Sequence, residues 1–118
     1  MNRERLLASA KARALALAGN YKPPAASEFH LPGPSGKAAL MLAVDIFVNQ
    51  GKATAYDRVV AGGLADVLTG GPTADQTVVT TEDRITELER KTITRLLRHP
   101  ETLARMEYTL EHGKPLRN

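Results

Sequence analysis

Imidazole serves as general base, metal ligand and proton carrier, so the three histidines are the first residues to question. His30 stands in a proline-rich stretch, His99 directly before Pro100, and His112 directly before Gly113. None has a second His, Asp or Glu at a spacing that sets two ligands on one helix face. Glu111 is adjacent to His112 but points to another side of a helix. A histidine in a last helical turn is what the helix dipole favours, which accounts for His112. Ser9, Ser27 and Ser35 lack the strand-to-helix elbow that exposes a nucleophile. The chain has no cysteine, which removes thiolate chemistry, disulfides and cysteine-held zinc.

The glycine motifs carry no phosphate chemistry either. Gly33-Pro34-Ser35-Gly36-Lys37 places Ser-Gly-Lys before a helix, but Lys37 is followed by alanine and no strand precedes the loop. It reads as a turn with a serine cap. Gly70-Gly71 follows a helix, where a dinucleotide fingerprint would need a strand. Arg3, Arg5, Lys11 and Arg13 give the first helix a basic face. The third helix, however, starts without the Arg, Asn or Gln cluster that reads base edges. Nucleic acid is not the expected partner, and no catalytic residue is expected anywhere in the chain.

The elements that hold these residues read as five helices and no strand, an all-α small bundle with a proline-rich linker after the first helix. The first runs from about Asn2 to Ala18, with Leu6, Ala10, Ala14 and Leu17 on one stripe, and ends at Gly19-Asn20. Pro23, Pro24, Pro32 and Pro34 make residues 21–34 an extended, semi-rigid linker, anchored by Tyr21, Phe29 and Leu31. Three units follow: an N-terminal helix over 1–20, a linker over 21–34 and a helical domain over 35–118. Ser35 is the expected cap of the second helix, whose stripe is Leu40, Val44, Phe47 and Val48. The third starts near Thr54 with Asp57 in its first turn and carries Tyr56, Val59, Val60, Leu64, Val67 and Leu68. Its internal Gly62-Gly63 costs roughly 1 kcal/mol per glycine, which implies a helix crossing closely there. Thr80 is the expected cap of the fourth helix, with Glu82 and Asp83 in its first turn and a Glu87–Lys91 pair. Pro100 opens the fifth, which is expected to bury Leu103, Met106 and Leu110 and to pair Glu101 with Arg105.

At 118 residues there is room for one small domain, and 25% charged residues beside 42% hydrophobic ones argue against disorder. With three tyrosines, two phenylalanines and no tryptophan, the core must come from Leu, Val, Ile and Ala. The net charge of +3 is an N-terminal property: six basic and two acidic residues fall in 1–37. Residues 80–118 carry eight and seven, a mixed-sign surface. No apolar run is long enough to span a bilayer, and the first helix has no signal-peptide core.

Taken together, several short motifs resemble one family. Leu88-Glu89-Arg90-Lys91 followed by the terminal Gly113-Lys114-Pro115-Leu116-Arg117-Asn118 resembles the C-terminal end of bacterial multidomain 3-hydroxyacyl-CoA dehydrogenases of fatty-acid β-oxidation. Gly19-Asn20-Tyr21-Lys22-Pro23-Pro24, Leu31-Pro32-Gly33-Pro34-Ser35-Gly36 and Val67-Leu68-Thr69-Gly70-Gly71 match its turns in order, so the whole chain is covered. The resemblance implies an NAD-dependent dehydrogenase and enoyl-CoA hydratase-like (crotonase-like) domain upstream, in a cytoplasmic enzyme, with Met1 at an internal position. It implies no NAD, acyl-CoA or metal site within these residues. Lys11 and Arg13, following the hydratase-like domain, become candidates to attract CoA phosphates. The expected function is that of a non-catalytic C-terminal domain supporting interdomain packing and oligomer contacts. Its partners are then the upstream catalytic domains and a second copy of itself, not a membrane. The alternative is a free-standing helical interaction or nucleic-acid-binding module.

Overall fold

The computed structural model describes residues 3–118, with side chains from Arg5 onward. The chain order is α1 (Arg3–Ala18), β1 (Glu28–His30), α2 (Gly33–Asn49), α3 (Ala55–Thr69), β2 (Val79–Thr81), α4 (Glu82–Leu97) and α5 (Pro100–His112). Five helices in a mostly helical fold agree with the all-α reading. The expected start of the first helix at Asn2 lies outside the described residues.

Two strands are the correction. β1 and β2 pair antiparallel, with Glu28 opposite Thr81, Phe29 opposite Thr80 and His30 opposite Val79. Residues 25–31 hold no proline, so this part of the linker is free to pair, and Val78-Val79-Thr80-Thr81 is a β-branched run suited to a strand. Three residues are too few to show alternation. The pairing moves the start of α4: Thr80 lies inside β2, and Thr81 takes the cap position without a side-chain cap bond. Phe29 and Leu31 are half-buried as expected of anchors, whereas Tyr21 is 68% exposed and anchors nothing.

α3 lies between α2 and α4 and packs on both. Its start is capped reciprocally: the Asp57 N–H donates to Thr54 Oγ1 at 3.0 Å, and the Thr54 N–H to Asp57 Oδ2 at 2.8 Å. At its other end Gly70 is left-handed, with φ +88°. Ser35 does not cap α2, because the helix starts two residues earlier, at Gly33. There φ is +62°, and a Cβ would lie 2.5 Å from the Ala74 carbonyl oxygen, so only glycine fits. Ser35 instead donates to the Pro32 carbonyl at 3.0 Å.

The close crossing expected at Gly62-Gly63 occurs at the second glycine. A Cβ on Gly63 would lie 2.9 Å from Thr92 Cγ2 and 3.3 Å from Leu96 Cδ1, both on α4. Gly62 faces α2 with room to spare, its nearest neighbour being Met41 Sδ at 3.9 Å. Among the described residues the buried apolar side chains are Tyr56, Ala65 and Val67. Leu103, Met106 and Leu110 are exposed where burial was expected, Leu110 at 85%.

The accessible surface is 9376 Å², against about 6,300 Å² for a compact monomer of this mass. Residues 5–28 are exposed throughout and account for part of the excess.

The two glycines predict opposite outcomes. Gly62→Ala should stabilise the chain by up to about 1 kcal/mol through helix propensity. Gly63→Ala should destabilise it by about 1 kcal/mol, the clash with Thr92 outweighing the same gain. Thermal or urea unfolding followed by circular dichroism separates the two signs.

Candidate functional site

The layer of α2, α3 and α4 has a polar side and an apolar side. On the polar side Asp66 of α3 reaches both neighbours: its Oδ1 accepts from Lys37 Nζ of α2 at 2.6 Å, and its Oδ2 is 4.0 Å from Arg95 Nη2 of α4. Arg58 makes a second tie, its Nε donating to Asp45 Oδ1 of α2 at 2.5 Å. The Arg58 guanidinium beside Asp45 holds that carboxylate below its usual range.

Val60 and Leu64 stand two positions from Arg58 and Asp66 on α3, about 200° around the helix, and point the other way. Val60, Leu64 and Val67 join Ile93 and Leu96 of α4 around an open groove of about 540 Å³. A smaller one of about 210 Å³ runs along α2, lined by Leu40, Val44, Phe47, Leu64 and Leu68. Leu64 lines both, so the grooves are one apolar face across three helices. At its rim stand Glu89 and Arg90, adjacent residues of opposite charge. An apolar face this broad, with a charged rim, recognises another packed surface; it offers no convergent polar groups for a small substrate.

The ends of α3 are fixed by two junctions. At the C-terminal end the Leu31–Gly36 and Val67–Gly71 motifs meet: Ala74 abuts the positions where Gly33 and Gly70 have no Cβ, and Thr69 lies against Gly36. Thr69 is buried, and its Oγ1 donates to the Ala65 carbonyl at 2.7 Å. At the N-terminal end Arg105 of α5 gathers four partners. Its Nη2 is 2.8 Å from Asp57 Oδ1 and donates to Thr54 Oγ1 at 3.3 Å. Its Nε donates to Asn118 Oδ1 at 2.6 Å, and the guanidinium carbon is 4.9 Å from the Tyr56 ring centroid. Tyr56 also hydrogen-bonds Thr102 through its hydroxyl. Asn118 Nδ2 donates to the Glu101 carbonyl and Arg117 to the Lys52 carbonyl, so the terminal Gly113–Asn118 segment is folded back onto the body. The expected Glu101–Arg105 pair is therefore replaced: Arg105 turns toward α3, and Glu101 Oε2 lies 2.6 Å from His99 Nδ1. The sequence holds half of this junction, as the Thr54-x-x-Asp57 cap. The other half sets Arg105 on Thr54, Tyr56 and Asp57 from far along the chain and leaves no local signal. The expected Glu87–Lys91 pair likewise gives way to Arg84–Glu87, at 2.6 Å.

The histidines are dispersed. The His30 ring donates from Nδ1 to the Gln76 carbonyl at 3.1 Å, and His112 to the Tyr108 carbonyl at 3.1 Å while stacking on the Tyr108 ring. Glu111 is nearer to His112 than its helix position suggests, at 3.8 Å. His99 packs 4.8 Å from the Tyr56 ring, its buried Nδ1 close to Glu101 without hydrogen-bond alignment. Among the described residues no three His, Asp or Glu side chains converge on one point. Lys11 and Arg13 are exposed on α1. Two positions apart on a helix, they point to nearly opposite sides, so one phosphate group would take one of them.

Comparison with known proteins supplies the context. Over 119 aligned residues, covering its full length, the chain is 34% identical to a "Probable 3-hydroxyacyl-CoA dehydrogenase" of Bacillus subtilis (strain 168). The matched stretch is the C-terminal part of that protein, and the chain spans 15% of its length. No family model matches the chain, and no solved structure matches it. No described helix is long and apolar enough to cross a membrane.

Arg105 gives this geometry a test. Arg105→Ala should cost about 1–3 kcal/mol, since it strips Asp57 and Asn118 of a shared charged partner. Asp57 is held below the usual carboxylate range first by the Thr54 N–H; burial opposes this, and Arg105 adds to the lowering. A depressed folded-state value means that the contribution is present at neutral pH and lost as pH falls below about 4. The variant should therefore lose less stability between pH 5 and pH 3 than the parent, in urea titrations at each pH.

Proposed function

We propose that this chain is the non-catalytic C-terminal helical region of a 3-hydroxyacyl-CoA dehydrogenase/enoyl-CoA hydratase-like enzyme of fatty-acid β-oxidation in the cytoplasm. Its part in that enzyme is to pack against the catalytic domains and to support contacts between copies. Similarity along the whole chain to the end of a far longer dehydrogenase carries the reading. The open apolar face supports it physically. Domains bury each helical layer against a second one, and this layer has only its polar side closed by its own side chains.

On this reading NAD and acyl-CoA bind upstream, and the helices here hold the catalytic domains in place. Motif residues then act as shape: Gly33 and Gly70 let the ends of α2 and α3 meet, and Asn118 holds Arg105, which ties α5 to the α3 cap. Lys11 and Arg13 are the residues through which the region would touch substrate, drawing CoA phosphates by long-range attraction.

Two measurements test this. The native protein, detected in its source cells with an antibody to this segment, should have an intact mass several times 12.8 kDa. A species at 12.8 kDa would instead support a free-standing helical module. In the full enzyme, Lys11→Ala or Arg13→Ala should raise the KM for acyl-CoA about three- to tenfold with kcat unchanged, more strongly at low salt. An unchanged KM in both variants removes the phosphate role.

A further inference from the structure

Helix α4 sorts its charges by side. Arg84, Lys91, Arg95 and the C-cap residue Arg98 fall within about 60° of one another around the helix, in a row roughly 20 Å long. Glu89, at the rim of the apolar groove, stands about 160° away from Lys91. We propose that this cationic row docks an acidic surface of the catalytic domains upstream in the same polypeptide. This rests on the reading above for the domains themselves, and goes further in naming the surface that meets them and its sign.

The carboxylates on this side of the layer are already taken. Asp66 holds Lys37 at 2.6 Å and stands 4.0 Å from Arg95 Nη2. Asp45 holds Arg58, and Glu87 holds Arg84 at 2.6 Å rather than Lys91. Lys91, Arg95 and Arg98 are exposed, and among the described residues neither Lys91 nor Arg98 forms an ion pair. Arg95 shares a carboxylate that a nearer lysine already neutralises. Positive charge is thus left over along one edge.

A solvated helix face intersperses its signs, with an acid four residues before each base. The dipole at a helix C-terminus favours cations in the last turn, which accounts for Arg95 and Arg98. It falls off before Lys91, and it amounts to about half a unit charge. Like charges four residues apart destabilise a helix, so Lys91 and Arg95 oppose each other until an anionic surface covers them.

The surroundings select the kind of anion. The row runs along an exposed helix edge, while other residues line the grooves beside α3. A small anion is held in a concavity. α4 has no aromatic, Asn or Gln side chain to stack on a base or read its edge. Carboxylates on a protein surface suit the row, since each guanidinium meets them with two donors at once. Exposed ion pairs are weak one by one, so such a row gains most from a partner tethered beside it at high effective concentration. A domain of the same polypeptide meets that condition.

The test couples lysine amines to touching carboxylates in the full-length enzyme with a zero-length carbodiimide, read by peptide mass spectrometry. Lys91 should be found joined to an Asp or Glu of the catalytic domains. Arg95→Glu combined with Arg98→Glu should cut that product at least about fivefold, with the helical circular dichroism retained. Lys91 left uncoupled, coupled only within these 118 residues, or coupled to a separate protein overturns the assignment. A yield indifferent to the double variant overturns it too. Nucleic acid that co-purifies with the enzyme and is lost in the double variant overturns it in favour of a phosphate backbone. Coupling in the unmodified enzyme requires no variant to fold. The intact mass shows whether upstream domains exist, and Lys91 shows whether this row meets them, so the two failures are separable.

Discussion

Among the described residues helix α3 packs along its length on α2 and α4, with α5 meeting it at its start, and the rest of the molecule follows from that. α2 and α4 flank it, Asp66 ties it to both on one side, and Leu64 and Leu68 look outward on the other. Burial of apolar surface is the main favourable term in folding. Yet among the described residues the buried apolar side chains are Tyr56, Ala65 and Val67. The ion pairs on the polar side set the angle between helices more than they stabilise them, since partly exposed pairs contribute about 1 kcal/mol or less. What they achieve is to keep charge off the opposite face.

Both ends of α3 are specified by backbone fit. At one end two glycines permit a crossing that any Cβ would block, which explains why motifs far apart in sequence belong together. At the other, Arg105 reads the α3 cap and the terminal asparagine at once. A planar guanidinium suits this role because it offers several donors in fixed directions and stacks on Tyr56 as well. A lysine would reach one partner and release the rest. The helix orientations, and hence the shape of the apolar face, are set by these two contacts.

How much of this was legible in the sequence depended on range. Helix identity was, because stripes such as Leu40, Val44 and Phe47 repeat at helical spacing, and Gly70-Gly71-Pro72 and Gly113 end helices by local chemistry. The Thr54–Asp57 cap is likewise a three-residue matter. The β1–β2 pair was not legible: it joins segments 51 residues apart, each too short for a pattern. Leu103, Met106 and Leu110 form a sound helical stripe, yet periodicity tells which residues share a face and not whether anything lies on it. Arg105 had Glu101 within reach along its own helix, and Asp57 prevailed through the fold. For the candidate site, the apolar residues of α3 were in view from the start. That Leu64 joins two grooves into one face required the placement of α2 and α4.

The small core has a consequence for what stability means here. A partner that binds the folded chain and not the unfolded one adds to folding stability through mass action. With so little apolar surface buried within one copy, covering the Leu64 face contributes a large part of the total. Folding and docking then become a single equilibrium, as in obligate assemblies, where the isolated subunit is only marginally stable. The region would gain its full rigidity only in place, so its geometry at the ends of α3 matters most once the face is covered.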